Sequence, residues 1–442
     1  MEVKSIARIT AATVMAFVLI SGCATNQAPG NSMPASPPES RGIAVPEGGY
    51  TWQQLANMAV AARADYAAVL AEAQAAYYRY KARTDLKDLK GSMEYSFISN
   101  DVKDNKYGFG LSASIPDPFV NWQYTRAGEA ARRETETSAE DLKNKITASV
   151  YVLVQQILLG EKELAVLYSR EQVLSDWEAY IKQRNNARVV TQTDMRTFDL
   201  RHLKLKADIQ QAQRAQNAAK RSLQVLVQIP PEQLVLKPDQ SDWAAIQALL
   251  KDDQAFIDNA LSRSAGMAGA NAAYEKACAM LSAARAKQIP WFDTVQLSYV
   301  PIFTSSVNST YTGGLFSSQP ESNKWKLGVT VDLPVFAWFS FEKKAAAADV
   351  EVASLRLAGI RQQISGDLTG TIADLRDTLT LLNDYRSAYD SISKPSRETV
   401  LDAETYYKLL DDWLSSSEYT LETELRCARI YSQLLKITGV WE

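Results

Sequence analysis

One alternating stretch that ends in proline occurs twice in this chain, and the two copies lie 218 positions apart. In "YGFGLSASIPDPF" (107–119) and "WKLGVTVDLPVF" (325–336) apolar residues fill every second position, glycine is fourth (Gly110, Gly328) and proline is tenth (Pro116, Pro334). Alternation with period two describes a strand with one apolar and one polar face. The proline removes a ladder donor and stops pairing, so each strand must turn into something else at that point. Pro116, Pro118 and Pro334 mark these strand-to-helix turns.

Each copy has a partner. "SMEYSFISN" alternates Met93, Tyr95 and Phe97 against polar residues, and "TVQLSYVPIFTSS" does the same with Val295, Leu297, Tyr299 and Phe303. The pattern predicts two hairpins, with strands at about 92–100 and 107–115 and at about 294–304 and 325–333. Everything else reads as helix. Ala-rich, glycine-poor helices precede each hairpin, at 51–87 and 251–288. Between Phe119 and Ile229 there is no proline, and Ile146, Val150, Leu153, Ile157, Leu164, Leu167, Leu174 and Ile181 recur in steps of three, four and seven. A continuous helix from 119 to 187 spans roughly 100 Å at 1.5 Å per residue.

That pattern breaks at "RNNARVVTQTDM", where Thr191-x-x-Asp194 resembles a capping box for a returning helix. In the second half Ile360, Ile364, Leu368, Leu375, Leu379 and Leu382 mark another long helical region, in which Pro395 predicts a kink or break near the equator, and Ser415-x-x-Glu418 after "KLLDDWLSS" supplies a second capping box. The organisation is therefore a tandem duplication of helix, hairpin, helix, tip and helix. Its parts are a first repeat at 50–230 with its tip at about 186–191, a connector at 229–250, and a second repeat at 251–442 with its tip at about 409–415.

The first 49 residues belong to neither repeat. Lys4 and Arg8 precede the apolar run "ITAATVMAFVLI", and "ISGC" resembles the bacterial lipobox, so residues 1–22 read as a lipoprotein signal peptide cleaved before Cys23. Lipid, palmitate included, is expected on Cys23, and Ala24 after it favours the outer membrane. The Pro-, Ser- and Gly-rich residues 23–49 form a flexible tether.

Composition removes other classes. A net charge of −3 gives no basic surface for nucleic acid. Three cysteines without a C-x-x-C pair and a single histidine, His202, leave no metal centre and no nucleophile pair, so neither a cofactor nor an enzyme activity is expected.

Strands of about nine residues with one apolar face suit either a soluble sandwich or a membrane β-barrel. Aromatic residues at the strand ends (Tyr107, Phe119, Trp122, Trp291, Phe292, Trp325, Phe336, Trp338, Phe339) fit a membrane interface. Four strands cannot close, and an open edge in lipid leaves backbone groups unpaired. Three copies would supply a twelve-stranded barrel, continued away from the membrane by a tube of helices.

These features together resemble the TolC-type outer membrane efflux factors. The resemblance covers the chain from about residue 50 and rests on the duplicated strand ends, "ALSRSAGMAGANAAYEKACAMLSAARAKQIPWFDTVQLSY", the stretches "RVVTQTDMRTFDL" and "WLSSSEYTLETEL", and the closing "LLKITG". It implies a mainly α homotrimer with a small outer-membrane β-barrel, an α-helical barrel crossing the periplasm, and an equatorial belt. It also implies a passive exit duct for efflux or type I secretion, with a periplasmic adaptor protein and an inner-membrane transporter as partners. Carboxylates near the family's periplasmic tip form constricting rings; by position Glu418 matches one, Leu421 stands where a second is expected, and Asp411, Asp412 and Asp194 are further candidates. Both tip stretches lack the family's usual glycine. The competing expectation is a lipid-anchored periplasmic coiled-coil scaffold without a pore.

Overall fold

The computed structural model describes residues 48–84, 89–96, 106–114, 117–186, 192–230, 233–238, 243–250, 252–300, 324–332, 341–391, 395 and 403–439. The signal peptide, Cys23, Pro116 and Pro334 lie outside them, as do Phe336, Trp338 and Phe339. The order is α1 (Trp52–Ala62), α2 (Ala64–Lys81), β1 (Leu89–Ser96), β2 (Lys106–Ser114), α3 (Pro118–Asn186), α4 (Gln192–Val227), α5 (Trp243–Leu249), α6 (Asp253–Arg263), α7 (Ala265–Ala286), β3 (Trp291–Val300), β4 (Lys324–Asp332), α8 (Phe341–Ser391) and α9 (Ala403–Thr438). The fold is predominantly helical and duplicated, as expected.

The long helix is real. α3 runs unbroken for 69 residues, about 100 Å, and packs against α1, α2, α4, α7 and α9. Its periodic residues Ile146, Val150 and Ile157 are buried together with Leu223 of α4 and with Leu368, Ile372, Leu375, Leu379 and Leu382 of α8. A second apolar cluster further along joins Leu167, Leu174 and Trp177 of α3 to Phe198, Leu205 and Ile209 of α4 and Tyr407 of α9. The Trp177 and Tyr407 rings stack at 6.1 Å, and Phe198 meets Trp177 edge-on at 5.8 Å. His202 sits on α4, its ring tilted against Phe198.

Three expectations need correction. The helices at 51–87 and 251–288 are each divided, at Arg63 (ψ 114°) and at Ser264 (ψ 126°). At the first break the Arg63 guanidinium reaches over to Asp65 in the first turn of α2. The second repeat's tip does not lie at 409–415. α9 is helical from Ala403 to Thr438, and Ser415 starts nothing; its hydroxyl donates to the Asp411 carbonyl at 2.8 Å, one turn back within the helix. α8 ends at Ser391 and α9 starts at Ala403, with Pro395 in the interval between them, and Tyr389 of α8 stacks on Trp413 of α9 at 5.0 Å. Pro395 thus falls in the break between two helices.

The connector follows Val227 and contains α5 together with a short parallel bridge between Tyr50 and Leu236. Gly49 permits that bridge. Its φ is +89°, and a Cβ there would lie 2.9 Å from the Val235 carbonyl oxygen. At the far end Gly439 (φ +68°) closes α9, its N–H donating to the Leu435 carbonyl.

Candidate functional site

The four strands form one antiparallel sheet in the order β1-β2-β3-β4, so the two hairpins of the duplication join through β2 and β3. Register settles the character of each face. Three rows hold Met93, Phe109, Tyr299 and Trp325, then Gly91, Leu111, Leu297 and Leu327, then Leu89, Ala113, Val295 and Val329. The alternate rows hold Ser92, Gly110, Ser298 and Lys326, then Lys90, Ser112, Gln296 and Gly328, and finally Ser114, Thr294 and Thr330. One face is therefore apolar across all four strands and the other polar or glycine.

No described helix packs along either face of this sheet. Leu297 and Val329, on the apolar side, are 44% and 50% exposed in the single chain. A soluble sandwich would cover that face with a second layer; among the described residues none is present. The outer edges of β1 and β4 are likewise unpaired among the described residues.

The turn from sheet to helix is built as the D-P sequence dictates. Pro118 is the first residue of α3, where its missing N–H costs nothing. The preceding Asp117 carboxylate accepts from the N–H groups of Phe119 (2.8 Å) and Val120 (3.3 Å). Pro118 thus starts the helix, four residues after β2 ends at Ser114. Phe119 meets Trp291 of β3 edge-on at 5.9 Å, which ties this junction to the other hairpin.

The acidic candidates distribute unevenly at the other end of the helices. Asp411 and Glu418 converge on Arg170 of α3, at 3.0 Å and 2.6 Å. All three side chains are largely covered, at 18%, 20% and 31% exposure for Arg170, Asp411 and Glu418. Burial works against the guanidinium charge, but the hydrogen bonds and charges of the two carboxylates outweigh it and hold its pKa above the ordinary arginine value. Glu163, two turns earlier on α3, has its pKa raised by burial first and then by the charges of Glu418 and Glu422. Asp412 is exposed on α9 and makes no part of this cluster. Asp194 lies in the first turn of α4, which begins immediately after Thr191. Arg170 was not foreseen, since nothing in its surroundings on α3 announces a partner 241 positions away.

No protein-family profile matches the sequence, and no curated protein is matched by it. Solved structures do match. VceC, an outer membrane protein of Vibrio cholerae, is similar with a TM-score of 0.59 at 14% identity, over 88% of this chain and 96% of that one. The Campylobacter jejuni outer membrane channel CmeC gives 0.57 at 12% identity, over 88% and 85% of the two chains. The open state of the Neisseria gonorrhoeae outer membrane channel MtrE gives 0.51 at 18% identity, over 88% of each. This chain has the outer membrane channel fold. The match covers 88% of this chain and 85–96% of those three.

Proposed function

We propose that the chain is one subunit of a homotrimeric outer membrane exit duct of the TolC type, passively conducting substrates that a periplasmic adaptor and an inner-membrane transporter deliver. The observation that carries this reading is the sheet: one face apolar but for Gly91, with no described helix along it and with both edges open among the described residues. An eight-residue edge strand such as β1 presents roughly eight outward N–H and C=O groups, and each costs several kcal/mol if left unpaired in hydrocarbon. Pairing β4 of one copy with β1 of the next satisfies both edges, and three copies close a twelve-stranded barrel. The apolar face then meets lipid, the polar face lines water, and the helices continue the conduit into the periplasm. The channel needs no bond chemistry of its own.

Lipidation of Cys23 belongs to this proposal and is supported by the "ISGC" sequence. A buried acyl chain adds about 0.8 kcal/mol per CH₂ of anchoring. At the periplasmic constriction, Arg170 compensates Asp411 and Glu418 within each subunit. Of the four candidate gate carboxylates this leaves Asp412 exposed on α9, with Asp194 at the start of α4.

Cysteine cross-linking tests the shared barrel. Within one chain β1 and β4 are three strand spacings apart, about 14 Å, too far for a disulfide between Cα atoms that must lie within about 7 Å. Ser92→Cys on β1, paired in turn with Lys324→Cys, Lys326→Cys or Gly328→Cys on β4, should give covalent trimers in the outer membrane for at least one register. Monomers for every pair, together with an absence of pores in planar bilayers and release of the chain by carbonate, would sink the duct in favour of a tethered scaffold.

A further inference from the structure

We infer that the foot of the sheet is a docking collar for the headgroups of anionic phospholipids, made of cations held against aromatic rings. This rests on the membrane reading of the sheet. Chain connectivity sets the place: α2 leads into β1, β2 into α3, α7 into β3 and β4 into α8, so four helix ends meet the sheet there.

Cation-ring contacts gather at these junctions. The Arg83 guanidinium lies 5.5 Å from the Tyr80 ring centre and 5.6 Å from that of Tyr124, while Lys287 approaches Tyr124 at 5.9 Å. Arg126 lies 5.2 Å from the ring of Trp122, and Lys81 and Lys344 sit over Tyr77 and Phe341. Trp122 and Phe341 are exposed, as interfacial aromatic residues are.

Some basic residues deeper along the helices are instead charge-paired, although Arg132 also lies over the Tyr77 ring. There Arg133 pairs with Glu275, Lys276 with Glu134 and Arg132 with Glu136. At the junctions Lys287 has Glu342, but Lys81, Arg83, Arg126 and Lys344 have no carboxylate partner among the residues whose side chains are described. Asp117 is occupied as the cap of α3. Arg83 and Lys287 share the Tyr124 ring, and of the two only Lys287 has a described carboxylate partner, Glu342. A ring face holds a cation in position and leaves its N–H donors free for a phosphate.

Depth selects the occupant. From Pro118 to Arg126 is eight residues, about 12 Å along α3. The headgroup layer on each side of a bilayer is about 5–8 Å thick, and the attraction of basic residues to anionic lipid extends a further Debye length, about 8 Å. The collar lies within that zone, directly below the apolar rows.

The test compares wild-type protein in vesicles of phosphatidylethanolamine alone and in vesicles that also contain phosphatidylglycerol. Lipid retained on the extracted trimer is read by native mass spectrometry, and conductance is recorded in both. Phosphatidylglycerol should be retained preferentially, with the preference falling about fivefold per cation in R83Q, R126Q and the double variant, and restored by R83K. It should also weaken with added salt. Equal retention of both lipids by the wild type, or an unchanged preference in the double variant, overturns the collar. Should the double variant fail to insert, a wild-type preference indifferent to salt overturns it equally. Conductance without lipid preference removes the collar alone, whereas no conductance in either vesicle removes the duct reading and the collar with it.

Discussion

Replacing Arg170 by methionine keeps most of the side chain's packing and deletes its charge. Asp411 and Glu418 would then face each other and Glu163 without a cation, in a site where the three paired groups are 18–31% exposed. Removing one partner from a fully buried pair costs about 3–5 kcal/mol, and from an exposed pair about 0–1 kcal/mol. The intermediate exposure here gives about 2 kcal/mol. Because the pair joins α3 to α9, the loss should appear as local opening of α9. Amide hydrogen exchange over residues 407–422 should accelerate about 30-fold at neutral pH, the equivalent of 2 kcal/mol. The pH dependence has a definite sign. Glu163 has a raised folded pKa, so its ionisation costs stability as pH rises through that value, and protonation relieves the site as pH falls. In the variant more carboxylates share this strain. The deficit relative to wild type should therefore shrink as pH falls through the raised Glu163 pKa, and Glu163→Gln should recover part of it. Less than a threefold change in exchange, or a deficit that grows on acidification, would refute the electrostatic account of the α3–α9 contact.

Four further outcomes follow from other parts of the molecule. Val329→Arg places a charge on the apolar face of β4 and should cost about 2–4 kcal/mol if it lies near mid-bilayer, read as loss of assembled protein from the outer membrane fraction. Trp177→Ala empties the stack between Phe198 and Tyr407 and should cost about 3–5 kcal/mol, read as early protease cleavage around α3 and α4. The Cys427 thiol is fully buried, and burial, followed by the charge of Glu424, pushes its pKa up to about 12; at pH 8 it should resist alkylation while Cys278 reacts. If the chain forms the proposed duct, Arg170→Met should also increase its cation preference, since two carboxylates per subunit lose their counter-ion; an unchanged reversal potential would place Asp411 and Glu418 away from the lumen.

The sheet and the longest helix were legible because each is written in a single period. Alternation located all four strands to within a few residues, and the steps of four and seven between Ile146, Val150 and Ile157, set in sequence without proline, marked α3. The breaks at Arg63 and Ser264 were not legible, as "AARAD" and "SRSAG" place neither proline nor glycine at the residue where the backbone turns extended. Nor was Arg170. A charge on a helix face has a partner fixed by packing, and no local pattern names it. The D-P pair at 117–118 could have been read as a cap followed by a first helical residue, which is what it is.

The misplaced tip exposes what a duplication conserves. Thr191 and Ser415 are 224 positions apart, close to the strand offset of 218, and that agreement invited the transfer of one turn onto the other. The returning helices α4 and α9 do match, at 36 residues each, but the outgoing helices measure 69 and 51. An offset measured at the strands therefore cannot be carried through the longer arm of the hairpin. The serines that looked like a helix start are satisfied inside α9 by carbonyls of the preceding turn, Ser415 by Asp411 and Ser416 by Trp413, while Tyr407, Leu410 and Leu414 keep three- and four-residue spacing on its buried side. Period outweighs motif: where a buried stripe runs unbroken through a capping pattern, the side-chain hydroxyl bonds backwards and the helix continues. The proline, which has no N–H to give and no such alternative, marks the interval between α8 and α9.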